Sequence, residues 1–326
     1  MLGVSGVSVI FGGGLTSDDV GARVSVRRRA SDGVGDVIGD LHSLDADGLA
    51  IRLSDGSLVV VAAASLVAAR VVGPSRLSAR ELEAVSGRAV RVSDEKWLGR
   101  WWLRAGGGLG ARANSVRPLG DPGVPLDAAL ETVGAWYRQR GLMPTVRVIT
   151  GSQVDEELDQ RGWTAAPQRS VQTATVASMR RRLDVVRPGF AVPLTQLASQ
   201  PSAGWLGRYR NGTILPTAAA ALADAPDVAF AMIESGDDGV AAIAIGRAVV
   251  EQPWVGFAAI EVDPGSRRRG YSRAVMAALV EWAAGRGATR GYLEVMADNQ
   301  PALALYASLG FTEHHRYTYR SPAGAL

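Results

Sequence analysis

Leu49, Ile51 and Leu53 alternate with Ala50, Arg52 and Ser54. A period of two puts one set of side chains on one face of a strand. Asp55-Gly56 interrupts the pattern and SLVVVA resumes it. That predicts a hairpin, because glycine accepts the positive φ of a tight turn. Val24 and Val26 begin an earlier strand, and Asp32-Gly33 and Asp47-Gly48 mark further turns. Short strands packed into residues 17–74 predict a small closed all-β barrel, SH3-like or Tudor-like. VVGPSR, residues 71–76, reads as a linker.

Beyond it the period changes. LDAALETVGAWYRQRG is amphipathic at helical spacing and ends on Gly141, a fitting C-cap. TVRVIT follows as a strand, and QVDEELDQ as a helix closed by Arg161-Gly162-Trp163. Further on, VAFAMI and VAAIAIGRAV flank SGDDG and predict a second hairpin. WVGFAAIEV is a strand. A basic loop and a helix to Gly287 follow it, then the strand GYLEVM, the helix PALALYASL and Gly310-Phe311. Trp136, Arg140 and Gly141 share the mutual spacing of Trp282, Arg286 and Gly287. Each set precedes a strand, a short helix and a Gly-aromatic pair. That ordered series predicts two related folds in tandem, residues 75–183 and 184–326.

Composition narrows the class. The 326 residues are 47% hydrophobic and 21% charged, which suits a globular protein of more than one domain. There is no cysteine, so disulfides and thiolate metal sites are excluded. The three histidines, His42, His314 and His315, are spaced unlike zinc ligands, so no metal is expected. No apolar run is long enough for a membrane span. MLGVSGVSVIFGGGL lacks the charged start of a signal peptide, so residues 1–16 read as a flexible tail or as the product of a start codon assigned too early, and a cytoplasmic location is expected. A formal charge of +3 argues little for nucleic acid. Arg27-Arg28-Arg29 has two readings, a nucleic-acid or acidic-peptide patch or basic side chains that protect an edge strand. A homodimer is left open.

Candidate chemistry lies at residues 262–306. Pro264 ends the strand 254–262, and a helix begins after Arg267-Arg268-Arg269-Gly270-Tyr271-Ser272. A glycine turn at a helix N-terminus gathers backbone N–H groups and the positive end of the helix dipole. The arginines add full charges for outer phosphate oxygens.

These residues resemble the GCN5-related N-acetyltransferase (GNAT) superfamily. Its pyrophosphate loop, Arg/Gln-x-x-Gly-x-Gly/Ala after Val-x-Pro, corresponds to Arg267-x-x-Gly270-x-Ser272 after Val262-Asp263-Pro264. Ser272 departs from that pattern. A second signature corresponds to Leu293-Glu294-Val295, then Asn299-x-x-Ala302-x-x-Leu305-Tyr306-x-x-x-Gly310-Phe311. The resemblance covers the last 140 or so residues and, more weakly, residues 75–183. With its small N-terminal barrel, the layout resembles actinobacterial members of the superfamily. It implies an α/β (α+β) GNAT fold, with a mixed, mostly antiparallel sheet flanked by helices. It also implies an N-acetyltransferase that uses acetyl-CoA and an amine acceptor.

The resemblance further implies a set of roles. The coenzyme lies in a V between the strands 254–262 and 291–296. Ile260 and Val262 hold the pantetheine through their backbone. Arg267, Arg268, Arg269, Gly270, Tyr271 and Ser272 hold the pyrophosphate, and Asn299 touches the pantetheine arm. Tyr306 is the acid for the departing thiolate. Glu294 is either the base or an orienting charge, with Glu261 and Glu251 as rivals. His314 and His315 are expected to be structural or to line the substrate. Aligned on its helix, the middle copy offers Asp121-Pro-Gly-Val-Pro-Leu126 for the loop and Leu158 for the tyrosine, so it reads as degenerate. A non-catalytic acetyl-CoA sensor acting through the barrel is the competing function. The acceptor is not legible.

Overall fold

The computed structural model describes residues 15–16, 19–20, 22–30, 33–53, 55–72, 77–106, 110–184, 194–225, 227–234 and 242–324. The expected tail, apart from Leu15 and Thr16, lies outside the described residues. So do Asp32, most of the expected linker and the SGDDG turn.

In chain order the elements begin with β1 (Arg23–Ala30), β2 (Gly33–Asp45), β3 (Gly48–Arg52), β4 (Leu58–Ala62) and β5 (Leu66–Val71). Next come α1 (Ala79–Arg88), β6 (Asp94–Leu98), β7 (Trp101–Ala105), β8 (Arg117–Pro118), α2 (Leu126–Arg138) and β9 (Val146–Ile149). Then follow α3 (Gln153–Gln160), β10 (Thr164–Ala165), β11 (Arg169–Thr175), α4 (Val176–Leu183), β12 (Gln196–Ala198), α5 (Ala203–Arg208) and α6 (Pro216–Ala223). The last elements are β13 (Val228–Glu234), β14 (Ala242–Glu251), β15 (Trp254–Val262), α7 (Tyr271–Ala284), β16 (Arg290–Met296), α8 (Gln300–Ser308) and β17 (Thr312–Ser321). Among the described residues no helix is long and apolar enough to cross a membrane.

The chain divides into two compact units. One joins residues 1–76 with 175–185, and the other joins 77–174 with 186–326. In the first, five antiparallel strands run in the order β4-β3-β2-β1-β5. The two edge strands, β4 and β5, are joined by one short 3-10 turn, Ala63–Ser65. Edges tied that closely force the sheet to curl on itself, as the predicted barrel requires. Val24, Val26, Leu41, Leu49, Ile51 and Val61 fill its interior. Arg27 stands opposite Asp36 across β1 and β2 and bonds it, Nε to Oδ1, at 2.8 Å.

The second unit is built on a nine-stranded sheet whose path is β10-β17-β11-β16-β15-β14-β13-β12, with β9 also on β17. Tyr317 faces Arg169 of β11 and Ile149 of β9 in register, so those strands flank β17 on opposite edges. The sequence reading divides the two copies at 183/184. Here β11 from before that point lies between β16 and β17 from after it. The copies thus share one sheet through exchanged last strands, and neither closes its own. A separate sheet, β6-β7-β8, completes the middle segment.

Helix α7 packs on β14 through glycine. A Cβ on Gly246 would come within 2.4 Å of Val275 and 2.9 Å of Ile260 and Leu279. Only a missing side chain permits that approach.

Candidate active site

Strands β15 and β16 are parallel and in register from Trp254–Arg290 to Phe257–Leu293, and there their pairing ends. Both continue, to Val262 and Met296, so they diverge and leave a V. A bulge drives the divergence. Ile245 faces Glu261 and Arg247 faces Ala258, so Ala259 and Ile260 stand against Gly246 alone. Ala259 takes φ +54, a left-handed conformation uncommon for alanine. Beyond Phe257 the strand is only half-buried.

At the open end Asp263 caps a short 3-10 turn by accepting from Gly265 N at 3.0 Å. Arg267, Arg268 and Arg269 are exposed. Arg268 has φ +61 and Gly270 has φ +79. Gly270 is the N-cap of α7 and offers no side-chain acceptor to the first turn. That turn holds Tyr271 and Ser272 and no acidic residue, so it faces outward with positive character.

Tyr306 is the buried residue of α8. Its ring meets Phe311 edge-on at 5.9 Å, and Phe311 meets Phe257, the last paired residue of β15, at 6.3 Å. Burial pushes its hydroxyl up to about 12, so it stays protonated at neutral pH. Asn299 is exposed, and its Oδ1 caps α8 by accepting from Ala302 N at 3.2 Å.

Glu294 stands on β16 one residue past the last paired position, and its side chain is only 6% exposed. It accepts from Arg112 Nη2 at 2.9 Å, Arg147 Nη2 at 2.8 Å and the Tyr317 hydroxyl at 2.9 Å. Burial works to raise its pKa, but Arg147 and Arg112 prevail and hold it well below the usual carboxylate range. Arg147 also bonds Glu83, which accepts from Arg117 Nη1 at 2.8 Å and faces His315 Nε2 at 3.0 Å. Burial alone would raise Glu83, yet Arg147 and Arg117 bring it down to about 2. His314 meets His315, Nδ1 to Nδ1, at 2.9 Å. Among the described residues no three His, Cys, Asp or Glu side chains are placed to hold a metal ion.

Of the rival carboxylates, Glu251 pairs with Arg88 away from the V. Glu261 lies on the diverging part of β15 and accepts from Arg210 N at 3.2 Å. Sequence reasoning missed Glu83, Arg112, Arg117, Arg147 and Tyr317. The available signal was a charge inside an apolar strand, such as Arg147 in TVRVIT, since such residues are buried only when paired.

In the middle copy, Val116 and Val146 form an isolated parallel bridge, the counterpart of the β15–β16 pairing. Its loop packs on the turn between β6 and β7: Arg100 N donates to Asp121 O at 2.7 Å, and a Cβ on Gly99 would lie 2.3 Å from Pro122.

A parallel pair that splays at a bulge, before a glycine-capped helix, is the architecture of GCN5-related N-acetyltransferases. The fold matches the solved structure described as "GCN5-related N-acetyltransferase from Kribbella flavida", with a TM-score of 0.56 at 18% identity, over 77% of this chain and 97% of that one. The profile described as "Probable histone acetyltransferase Rv0428c C-terminal" matches residues 78–320, and "Rv0428c N-terminal Sm-like domain" matches 18–70. The chain belongs to this Rv0428c-type acetyltransferase family. It is 31% identical over 322 residues to the "Probable histone acetyltransferase Rv0428c" of Mycobacterium tuberculosis, covering 92% of this chain and 94% of the relative. It is 32% identical over 289 residues to the mycothiol acetyltransferase of a Nocardioides species, covering 72% and 91%. The chain is an N-acetyltransferase of the GNAT type. Where the sequence led to an expected SH3-like or Tudor-like barrel, the matching profile describes residues 18–70 as Sm-like.

Proposed function

We propose that the protein transfers the acetyl group of acetyl-CoA to a primary amine by direct attack within the V of β15 and β16. The observation that carries this reading is the end of pairing at Phe257–Leu293, with a bulged strand on one arm and Tyr306 packed behind it through Phe311. Strand edges freed by the splay suit a pantetheine chain at Ile260 and Val262, and they supply fixed donors to a thioester oxygen. Arg267, Arg268 and Arg269, with the backbone of Gly270, Tyr271 and Ser272, suit the pyrophosphate. Asn299 is exposed just beyond β16, and we assign it to the pantetheine arm.

Tyr306 gives its proton to the leaving thiolate, a role its protonated state supports. Glu294 is spoken for by two guanidiniums and a phenol. We assign it as a fixed negative charge at the edge of the V. The middle copy lacks a loop arginine and a tyrosine equivalent to Tyr306. Its role is to supply Arg112 and Arg147 to Glu294 and strands to the shared sheet.

A panel of primary amines tests this: alanine-terminated and lysine peptides, aminoglycosides and small amino metabolites, each with acetyl-CoA. Release of CoA thiol is the readout, and with no cysteine in the chain the protein adds no background. The Tyr306→Phe variant is expected to bind acetyl-CoA as the wild type does and to lose about 10²- to 10⁴-fold in kcat. An unchanged kcat would remove Tyr306 from the mechanism. Acetyl-CoA binding with no turnover on any amine would favour the sensor reading.

A further inference from the structure

At neutral pH a primary amine arrives as an ammonium ion, and it must lose a proton before its nitrogen can attack. Glu294 is poorly suited to receive that proton, because its carboxylate already accepts three hydrogen bonds, two of them from arginines. Across the V, on β15, a second carboxylate has a different environment.

Glu261 lies four residues beyond the last position at which β15 pairs with β16. Ile260 points toward α7, where it meets the space above Gly246 together with Val275 and Leu279. Glu261, the next residue, therefore turns to the opposite face of the strand. There it accepts from Arg210 N through Oε2 at 3.2 Å. That is its one hydrogen bond among the described residues, and its other oxygen has none. Arg210 and Asn211 adopt φ +50 and +55, so the turn that offers this N–H is held in the left-handed region. Such conformations persist where surrounding structure imposes them, and they cluster at binding sites. The other charges close by are Arg208, paired with Asp263 at 2.8 Å, and the Arg210 side chain.

We propose that Glu261 is the general base, taking the acceptor's proton on the β15 arm of the V. This rests on the acetyl-transfer reading above. Glu261 takes one proton from the ammonium and later passes it to water. The freed lone pair forms the N–C bond to the thioester carbonyl, and the C–S bond breaks as the tetrahedral intermediate collapses. Sulfur takes the proton of Tyr306. The second proton lost by nitrogen restores Tyr306, so the products are amide, CoA thiol and one proton released to water. Half-burial, opposed by the Arg210 N–H and by the charges of Arg210 and Arg208, raises the Glu261 carboxyl above the ordinary glutamate value. A base placed there is stronger than Glu294.

The test is a titration of glutamate side-chain ¹³C signals in the full chain, with Glu261→Gln and Glu294→Gln supplying the assignments. The Glu261 signal is expected to titrate above the ordinary glutamate midpoint, and the Glu294 signal to stay ionised to the acid limit of folding. Glu261 titrating at or below the ordinary value would overturn the proposal. On any amine the wild type acetylates, Glu261→Gln is expected to lower kcat by about 10²-fold or more and to abolish the acid limb of the pH profile. Its Kd for acetyl-CoA should not move, and Glu261→Asp should restore part of the rate. An unaltered profile would also overturn it. A wild type that fails to bind acetyl-CoA would instead remove the acetyl-transfer reading, and the proposal with it.

Discussion

Arg147 joins two carboxylates that lie far apart in sequence. It donates to both Glu83 and Glu294, and its guanidinium sits 3.3 Å from the centre of the Tyr317 ring. Breaking such a buried pair from one side leaves an uncompensated charge, which costs about 3–5 kcal/mol. Glu83→Gln is therefore expected to lower unfolding stability by about that amount, read from urea midpoints at neutral pH. The sign of its pH dependence follows from the direction of the shift. Glu83 and Glu294 are depressed in the folded state, so the stability they contribute is complete above the unfolded glutamate value and is lost as pH falls toward their folded values. Wild-type stability should drop steeply between about pH 5 and pH 2, and Glu83→Gln should flatten that decline. Parallel curves for the two proteins would contradict the account of the network.

Among the elements, contact between α7 and β14 depends on one absent side chain. Gly246→Ala would drive a methyl group into Val275, Ile260 and Leu279, at an expected cost of about 1–3 kcal/mol in thermal unfolding. An unshifted melting temperature would mean the helix gives way freely. The same element shows what the sequence makes legible. The strand WVGFAAIEV, the Pro264 stop, the basic loop and the amphipathic run to Gly287 all follow from local pattern, and each is present. The bulge at Ala259 is not legible, because it arises from pairing with β14 and no turn residue marks it. Helix α1 begins with a capping box, Ser78 with Glu81, a signal present in the sequence but not used in its reading. Gly270 and Tyr306 stand out in the sequence as candidates, whereas Arg112 and Arg147 do not. Their roles exist only once the middle copy and the last copy share a sheet.

For the whole molecule, strand exchange makes the two copies of the second unit interdependent. Strand β17 lies between β9 and β11, both from the segment before residue 176, and β11 also lies against β16. A fragment of residues 184–326 would keep the loop, Glu294 and Tyr306 but lose those strands and Arg147. It is expected to show no cooperative unfolding transition and weak hydrogen-exchange protection at β16. A fragment that folds cooperatively would show that the exchange is dispensable. The proposed coenzyme site belongs to β15, α7 and α8, so its occupancy is the most direct test of the whole account. Calorimetry with acetyl-CoA, on the wild type and on Arg267→Glu/Gly270→Glu, measures it. The account predicts micromolar binding by the wild type and none by the double variant. Absence of binding by the wild type, or undiminished binding by the variant, would contradict it.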